Sequence, residues 1–143
     1  MKSFTLKLVL FLVVCTVGAS VFASGFRCIS DSGYKLKIYN HVNAEDGTRI
    51  PGVLVLSDSR GTLFTAKGSE ISKRNLSDVV QYTVHVEDTD LQADYVIAQI
   101  RFKEGRETLR EGEKVIGSLI FSGNGEREYS AMICSRYLKN GTF

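Results

Sequence analysis

The chain has no tryptophan, only two histidines (His41 and His85) and three cysteines. Without tryptophan it lacks the broad indole face on which a binding site readily stacks a ligand, which counts against carbohydrate recognition. Two histidines leave few candidate bases for nucleophilic catalysis, and no Gly-x-Ser-x-Gly elbow is present to be activated by either. The sequence also lacks an internal repeat, a linker, a low-complexity tract and any long 3.6-residue apolar period. After the first two dozen residues no apolar run approaches the roughly 20 residues of a membrane-spanning helix.

The N-terminus reads Met-Lys-Ser-Phe-Thr-Leu-Lys, then runs apolar from Leu8 to Val17, then passes through small residues to Val21-Phe22-Ala23 before Ser24. This charged, apolar, small-residue order is that of a secretory signal peptide. The expectation is cleavage after Ala23, a working domain over 24–143, and a secreted or periplasmic protein with no transmembrane segment once cleaved. Cys15 raises the alternative of lipidation, but Val14 is larger than the small residue a lipobox wants before its cysteine. An uncleaved anchor is the other alternative.

Cleavage would remove Lys2 and Lys7, so that the 18 basic residues of the whole chain become 16 against 16 acidic ones. A formally neutral domain lacks the positive excess that neutralises phosphates, which argues against a nucleic-acid partner. Cleavage would also remove Cys15, leaving Cys28 and Cys134 near the two ends. In an oxidising compartment the simplest outcome is one disulfide, which on the chain-entropy model contributes about 4 to 5 kcal/mol for so long a loop. A zinc site needs a tetrahedral ligand set that these two cysteines and the distant histidines do not suggest.

Apolar and polar residues alternate through nearly all of the remaining sequence. Val80, Tyr82, Val84 and Val86 are separated by Gln81, Thr83 and His85; Tyr34, Leu36 and Ile38 alternate with Lys35 and Lys37. This is the period of half-buried strands. Val53-Leu54-Val55-Leu56, Tyr95-Val96-Ile97-Ala98 and Val115 to Phe121 are apolar on both faces, with Gly117 expected as a bend or bulge. Turns at Asp58-Ser59-Arg60-Gly61 and Gly123-Asn124-Gly125 predict hairpins. Three stretches, Asn40 to Pro51, Lys67 to Asp78 and Lys103 to Glu113, are read as interruptions, the second able to hold one helical turn. The fold class is therefore all-β: a single antiparallel, meander-like barrel of about eight strands, or a β-sandwich, with Cys28 on the first strand tied to Cys134 on the last.

Candidate sites are few. His41, read as part of the loop Asn40 to Gly47, is a candidate ligand-binding residue or, beside Glu45 or Asp46, a hydrolase base. Tyr39 and Tyr137 fall on the faces of their strands opposite the interior and are candidates for a surface contact, whereas Tyr34, Tyr82 and Tyr95 are read as core. Asp88, Asp90, Gln92 and Asp94 alternate like the oxygen ligands of a calcium loop, but Ala93 stands where that loop turns on glycine and Gln99 where it closes on an acid. A plain acidic hairpin end is the competing reading, and no cofactor is called for. Asn75-Leu76-Ser77 and Asn140-Gly141-Thr142 are N-glycosylation acceptors if the secretory route is eukaryotic.

The strings Leu56-Ser57-Asp58-Ser59-Arg60-Gly61 and Ala66-Lys67-Gly68-Ser69-Glu70 resemble the serine-glycine inhibitory loop and following Lys-Gly turn of the periplasmic lysozyme inhibitors, small exported barrels with a cysteine near each end. The match covers a small part of the chain, with altered spacing. It implies a protein inhibitor as one functional alternative. The leading expectation is an exported, non-enzymatic binding or envelope-associated protein that contacts a protein or surface ligand. A barrel carrying a small apolar ligand and a small hydrolase are the others.

Overall fold

The computed structural model describes residues 22–42, 45, 49–87, 90–102 and 112–140. The leader therefore lies outside the described residues except for Phe22 and Ala23, as do Cys15, Asp46, Asp88 and most of the charged Lys103 to Glu113 stretch. Nine strands are present: β1 (Phe22–Ser30), β2 (Lys35–Val42), β3 (Arg49–Asp58), β4 (Gly61–Lys67), β5 (Ile71–Leu76), β6 (Val79–His85), β7 (Tyr95–Arg101), β8 (Lys114–Gly123) and β9 (Glu126–Asn140). They form one antiparallel sheet in the order β4-β3-β2-β1-β9-β8-β7-β6-β5, curled into a half-barrel. Every neighbouring pair is antiparallel, as the all-β reading expects, and of its two alternatives the single curled sheet is nearer the barrel than the sandwich.

The turns do what their residues allow. Asn124 and Gly125 both take positive φ, 51° and 75°, between the paired residues Gly123 and Glu126. Positive φ at both central residues is the two-residue turn whose twist matches that of the strands it joins. Ser59 and Arg60 turn β3 into β4, braced by Asp58, whose carboxylate accepts from the Arg60 backbone N–H at 2.8 Å and from its guanidinium at 2.9 and 3.1 Å. The Arg60 hydrogen bonds hold the Asp58 carboxyl below its ordinary pKa, chiefly through the guanidinium.

Strand direction exposes an unexpected feature. With every pair antiparallel, β1, β3, β6 and β8 run one way and β2, β4, β5, β7 and β9 the other. The chain therefore does not reverse between β4 and β5. A 3-10 turn at Gly68–Glu70 kinks one continuing strand, so that its first part pairs with β3 and its second with β6. Gly68 supplies the kink at φ +51°, a conformation that costs any residue with a Cβ. Glu70 stabilises the bend by accepting from the Lys67 N–H at 2.9 Å. The Lys67 to Asp78 stretch thus contains the anticipated helical turn, but most of the rest is strand, closed by a turn at Ser77 and Asp78. The Asn40 to Pro51 interruption is also shorter than expected, since β2 runs to Val42 and β3 starts at Arg49.

Opposite this seam, β1 and β9 join the two ends of the described chain in an unbroken register from Phe22↔Asn140 to Ser30↔Met132. Cys28 and Cys134 face each other in that register, form the disulfide, and are both buried. Cleavage after Ala23 would remove the first two pairs of this ladder, Phe22↔Asn140 and Ala23↔Lys139. Inside, Phe26, Leu36, Ile38, Leu54, Leu56, Tyr82, Ile100 and Leu119 belong to one contiguous buried cluster with the disulfide. Gly117 shows no register shift: the β8–β9 pairing runs through it unbroken, and the β7–β8 pairing reaches it at Ile100. A Cβ there would meet the Gln99 carbonyl oxygen and the Met132 side chain, so glycine allows a close approach. The register shifts fall instead at Tyr39/Asn40 and Leu56/Ser57.

Candidate functional site

Period-two alternation turns every second residue of these strands away from the interior, and on the convex face the outward residues of neighbouring strands fall into rows. One row is apolar in its middle. Ile29 of β1 stands opposite Ile133 of β9, and Ile133 opposite Ile116 of β8. All three are well exposed, at 62%, 56% and 65%. Lys35 pairs with Ile29 at one end of the row; at the other, Ile116 shares a recess of about 160 Å³ with Val79 and Arg101.

The adjoining row reads Lys37, Arg27, Ser135, Lys114. Lys35, Lys37, Arg27 and Lys114 thus border the isoleucines, with no acidic side chain in either of these four-residue runs. Arg101, farther along, lies 3.9 Å from Asp78. The row beyond places Tyr137 and Tyr39 on either side of Gly25. Their rings meet edge to face across it with centroids 5.9 Å apart, and the Arg27 guanidinium lies 4.5 Å from the Tyr137 ring centre. Gly25 has no room for a side chain, since a Cβ would be driven into the Ile38 carbonyl oxygen.

The structure thus brings Tyr39 and Tyr137, two of the sequence-derived candidates, onto one face beside a cation. His41 joins that face one row further on, but as a strand residue paired with Ile50, not as part of a loop. Its ring covers Gly52, where a Cβ would come within 2.6 Å of Nε2. Its side chain is exposed.

Tyr82 is core as expected, fully buried, and its hydroxyl accepts from Asn40 Nδ2 at 3.0 Å. Around it the interior carries a polar end: Arg136 is buried with its guanidinium 5.1 Å from the Phe26 ring centre, and Lys73 approaches the Tyr82 ring at 6.0 Å. Tyr34 is partly buried against the core, but Tyr95 is 45% exposed and packs outside against His85 with ring centres 5.0 Å apart. Its place on the convex face follows from Val96 and Ala98 taking the inward positions of β7.

The calcium-like run is described only in part. Asp88 is outside the described residues, Asp90 and Asp94 are exposed, and no group of three potential metal ligands occurs among the described residues. Asp94 instead uses its backbone, accepting from Val86 N–H and donating to Ser122 O, each at 2.8 Å. The isoleucine row was not singled out in the sequence, although the disulfide contained the signal: if Cys28 and Cys134 point inward, Ile29 and Ile133 point outward.

No family model matches this chain, and no curated protein or solved structure matches it. The short resemblance to lysozyme inhibitors falls on the β3–β4 turn and on the Gly68 kink, two separate corners of the sheet.

Proposed function

We propose that this protein is an exported, non-enzymatic binding domain that docks an acidic surface of another protein on its convex sheet face. The observation that carries the reading is the row Ile29, Ile133, Ile116, in which three adjoining strands each spend an outward position on an exposed isoleucine. Burying such a side chain fully is worth about 1.5 to 3 kcal/mol, so a contiguous apolar row in water favours a partner that covers it. Lys35, Lys37, Arg27 and Lys114 beside the row favour an acidic partner, steering its approach and setting its register. They also disfavour a second copy in face-to-face contact, which would oppose like charges. Tyr39, Tyr137 and Arg27 extend the surface with the residue types that anchor interfaces.

The N-terminal leader pattern supports export, and a buried disulfide is compatible with an oxidising compartment. No helix among the described residues is long and apolar enough to cross a membrane. The exposed His41 fits surface contact better than acid-base chemistry.

The test is a binding titration with the partner recovered on the immobilised 24–143 domain. The wild type should bind less tightly as salt rises from about 50 to about 200 mM. Ile133→Lys and Ile116→Lys should each weaken binding about tenfold or more, as loss of a central apolar contact does, with an unchanged melting temperature. Equal binding by wild type and Ile133→Lys overturns the reading. Mass spectrometry of the exported chain, expected to begin at Ser24, tests the export step separately.

A further inference from the structure

We infer that the seam between β4 and β6 is a second binding site, which takes an extended peptide segment as an added strand. β4 and β5 are the two edges of the sheet, so among the described residues β4 pairs with β3 alone and its other edge carries no strand. Beyond the kink β5 pairs with β6 only as far as Ile71↔Val84. His85 and the two residues after it therefore extend past the end of β5 on the seam side.

Backbone direction in a strand alternates, and Val86 N–H is already committed to Asp94 O on the β7 side at 2.8 Å. By the same alternation the His85 backbone faces the seam, next to Glu70 beyond the last β5–β6 pair, and Glu87 follows past the end of β6. Between these two edges lies a cleft of about 370 Å³, floored by Phe64, Ala66, Val84 and Val86 and rimmed by Glu70 and Glu87. Ala66, Val84 and Val86 are buried, Phe64 is half-buried, and both glutamates are exposed.

The chemistry of an occupant follows from this arrangement. The β4 edge, with no strand against it among the described residues, asks for an extended backbone that donates and accepts in a ladder. The apolar floor asks for apolar side chains at alternate positions. The acidic rim asks for lysine or arginine at the positions between them, placed toward Glu70 and Glu87. The site is separate from the convex face, and its test is independent of the function proposed above.

The probe is a capped six-residue peptide of alternating valine and lysine, titrated onto the intact protein while backbone hydrogen exchange is followed. Exchange should slow in β4 and at His85 and Glu87, and not in β1 or β9. Methylating alternate backbone nitrogens of the peptide removes ladder hydrogen bonds and should weaken binding about tenfold or more. Replacing lysine by glutamate in the peptide, or Glu87→Lys in the protein, should weaken it about two- to fivefold. No protection in β4 at saturating peptide overturns the inference, as does equal affinity for the methylated or the valine-glutamate peptide. A second copy using its own β4 as the added strand would appear as a dimer in ultracentrifugation that the peptide does not dissociate, and that result overturns it too.

Discussion

The half-barrel has two junctions where its ends must be reconciled, and it treats them differently. At one, β1 and β9 lie far apart in sequence but are joined by a continuous ladder and by a disulfide between residues 106 apart. At the other, β4 and β5 are two parts of one kinked strand, so the chain itself closes the sheet, and no ladder among the described residues joins β4 to β6. The cost of bringing two segments together grows with the length of chain between them. Remote ends therefore need hydrogen bonds and a covalent link, whereas neighbours separated by a three-residue turn are held near each other by connectivity. Backbone groups left over at the second junction are what an added strand would use. The exposed isoleucine row sits on the side tied by the disulfide, with Ile29 and Ile133 next to Cys28 and Cys134.

Removing the covalent link should have the largest effect. Cys28→Ala with Cys134→Ala is expected to lower stability by about 4 to 5 kcal/mol in urea unfolding, the chain-entropy value for a loop of this length. A loss below about 1 kcal/mol would show that the ladder alone closes this side. Gly25→Ala comes next, because the new methyl meets the Ile38 carbonyl oxygen and must part β1 from β2. Overpacking of this kind costs about 3 kcal/mol, and the melting temperature should fall accordingly. Smallest is Gly68→Ala at the seam, where a Cβ has open space and only the φ of +51° opposes it. Unfolding measurements should give about 1 to 2 kcal/mol. If Gly68→Ala proved as costly as Gly25→Ala, the seam would be as tightly constrained as the closed side, and the contrast would fail.

Much of the architecture was legible in the residues. Alternation marked β2 and β6, and the Gly123-Asn124-Gly125 turn and the pairing of Cys28 with Cys134 followed from simple rules. The sequence misled where one local pattern serves two structures. Ser69 to Leu76 mixes polar and apolar residues as either a helical turn or an edge strand can, and the choice belongs to β6, whose Val84 and Val80 pair with Ile71 and Asn75. Gly117 looked like a bulge because its neighbours do not show how closely Gln99 and Met132 approach. Tyr95 was read as core from a run apolar on both faces, and such a run does not say which face is inner.

The candidate site was legible only in part. Tyr39 and Tyr137 could be placed on outward faces one strand at a time, but their meeting over Gly25 needs β1 between β2 and β9. The same holds for Ile29, Ile133 and Ile116, which come from distant segments and become a row only through the register.

The sequence by itself determined the strand-rich composition of this protein, the hairpin at Asn124-Gly125 and the presence of a cysteine near each end of the sheet, because alternation, turn propensity and residue identity are properties of short segments. Tertiary structure alone decided that β4 runs on into β5, that one junction is closed by a ladder and the other by the chain itself, and that three isoleucines share a row in water. Those outcomes depend on the direction and register of strands remote in sequence, which no local pattern contains.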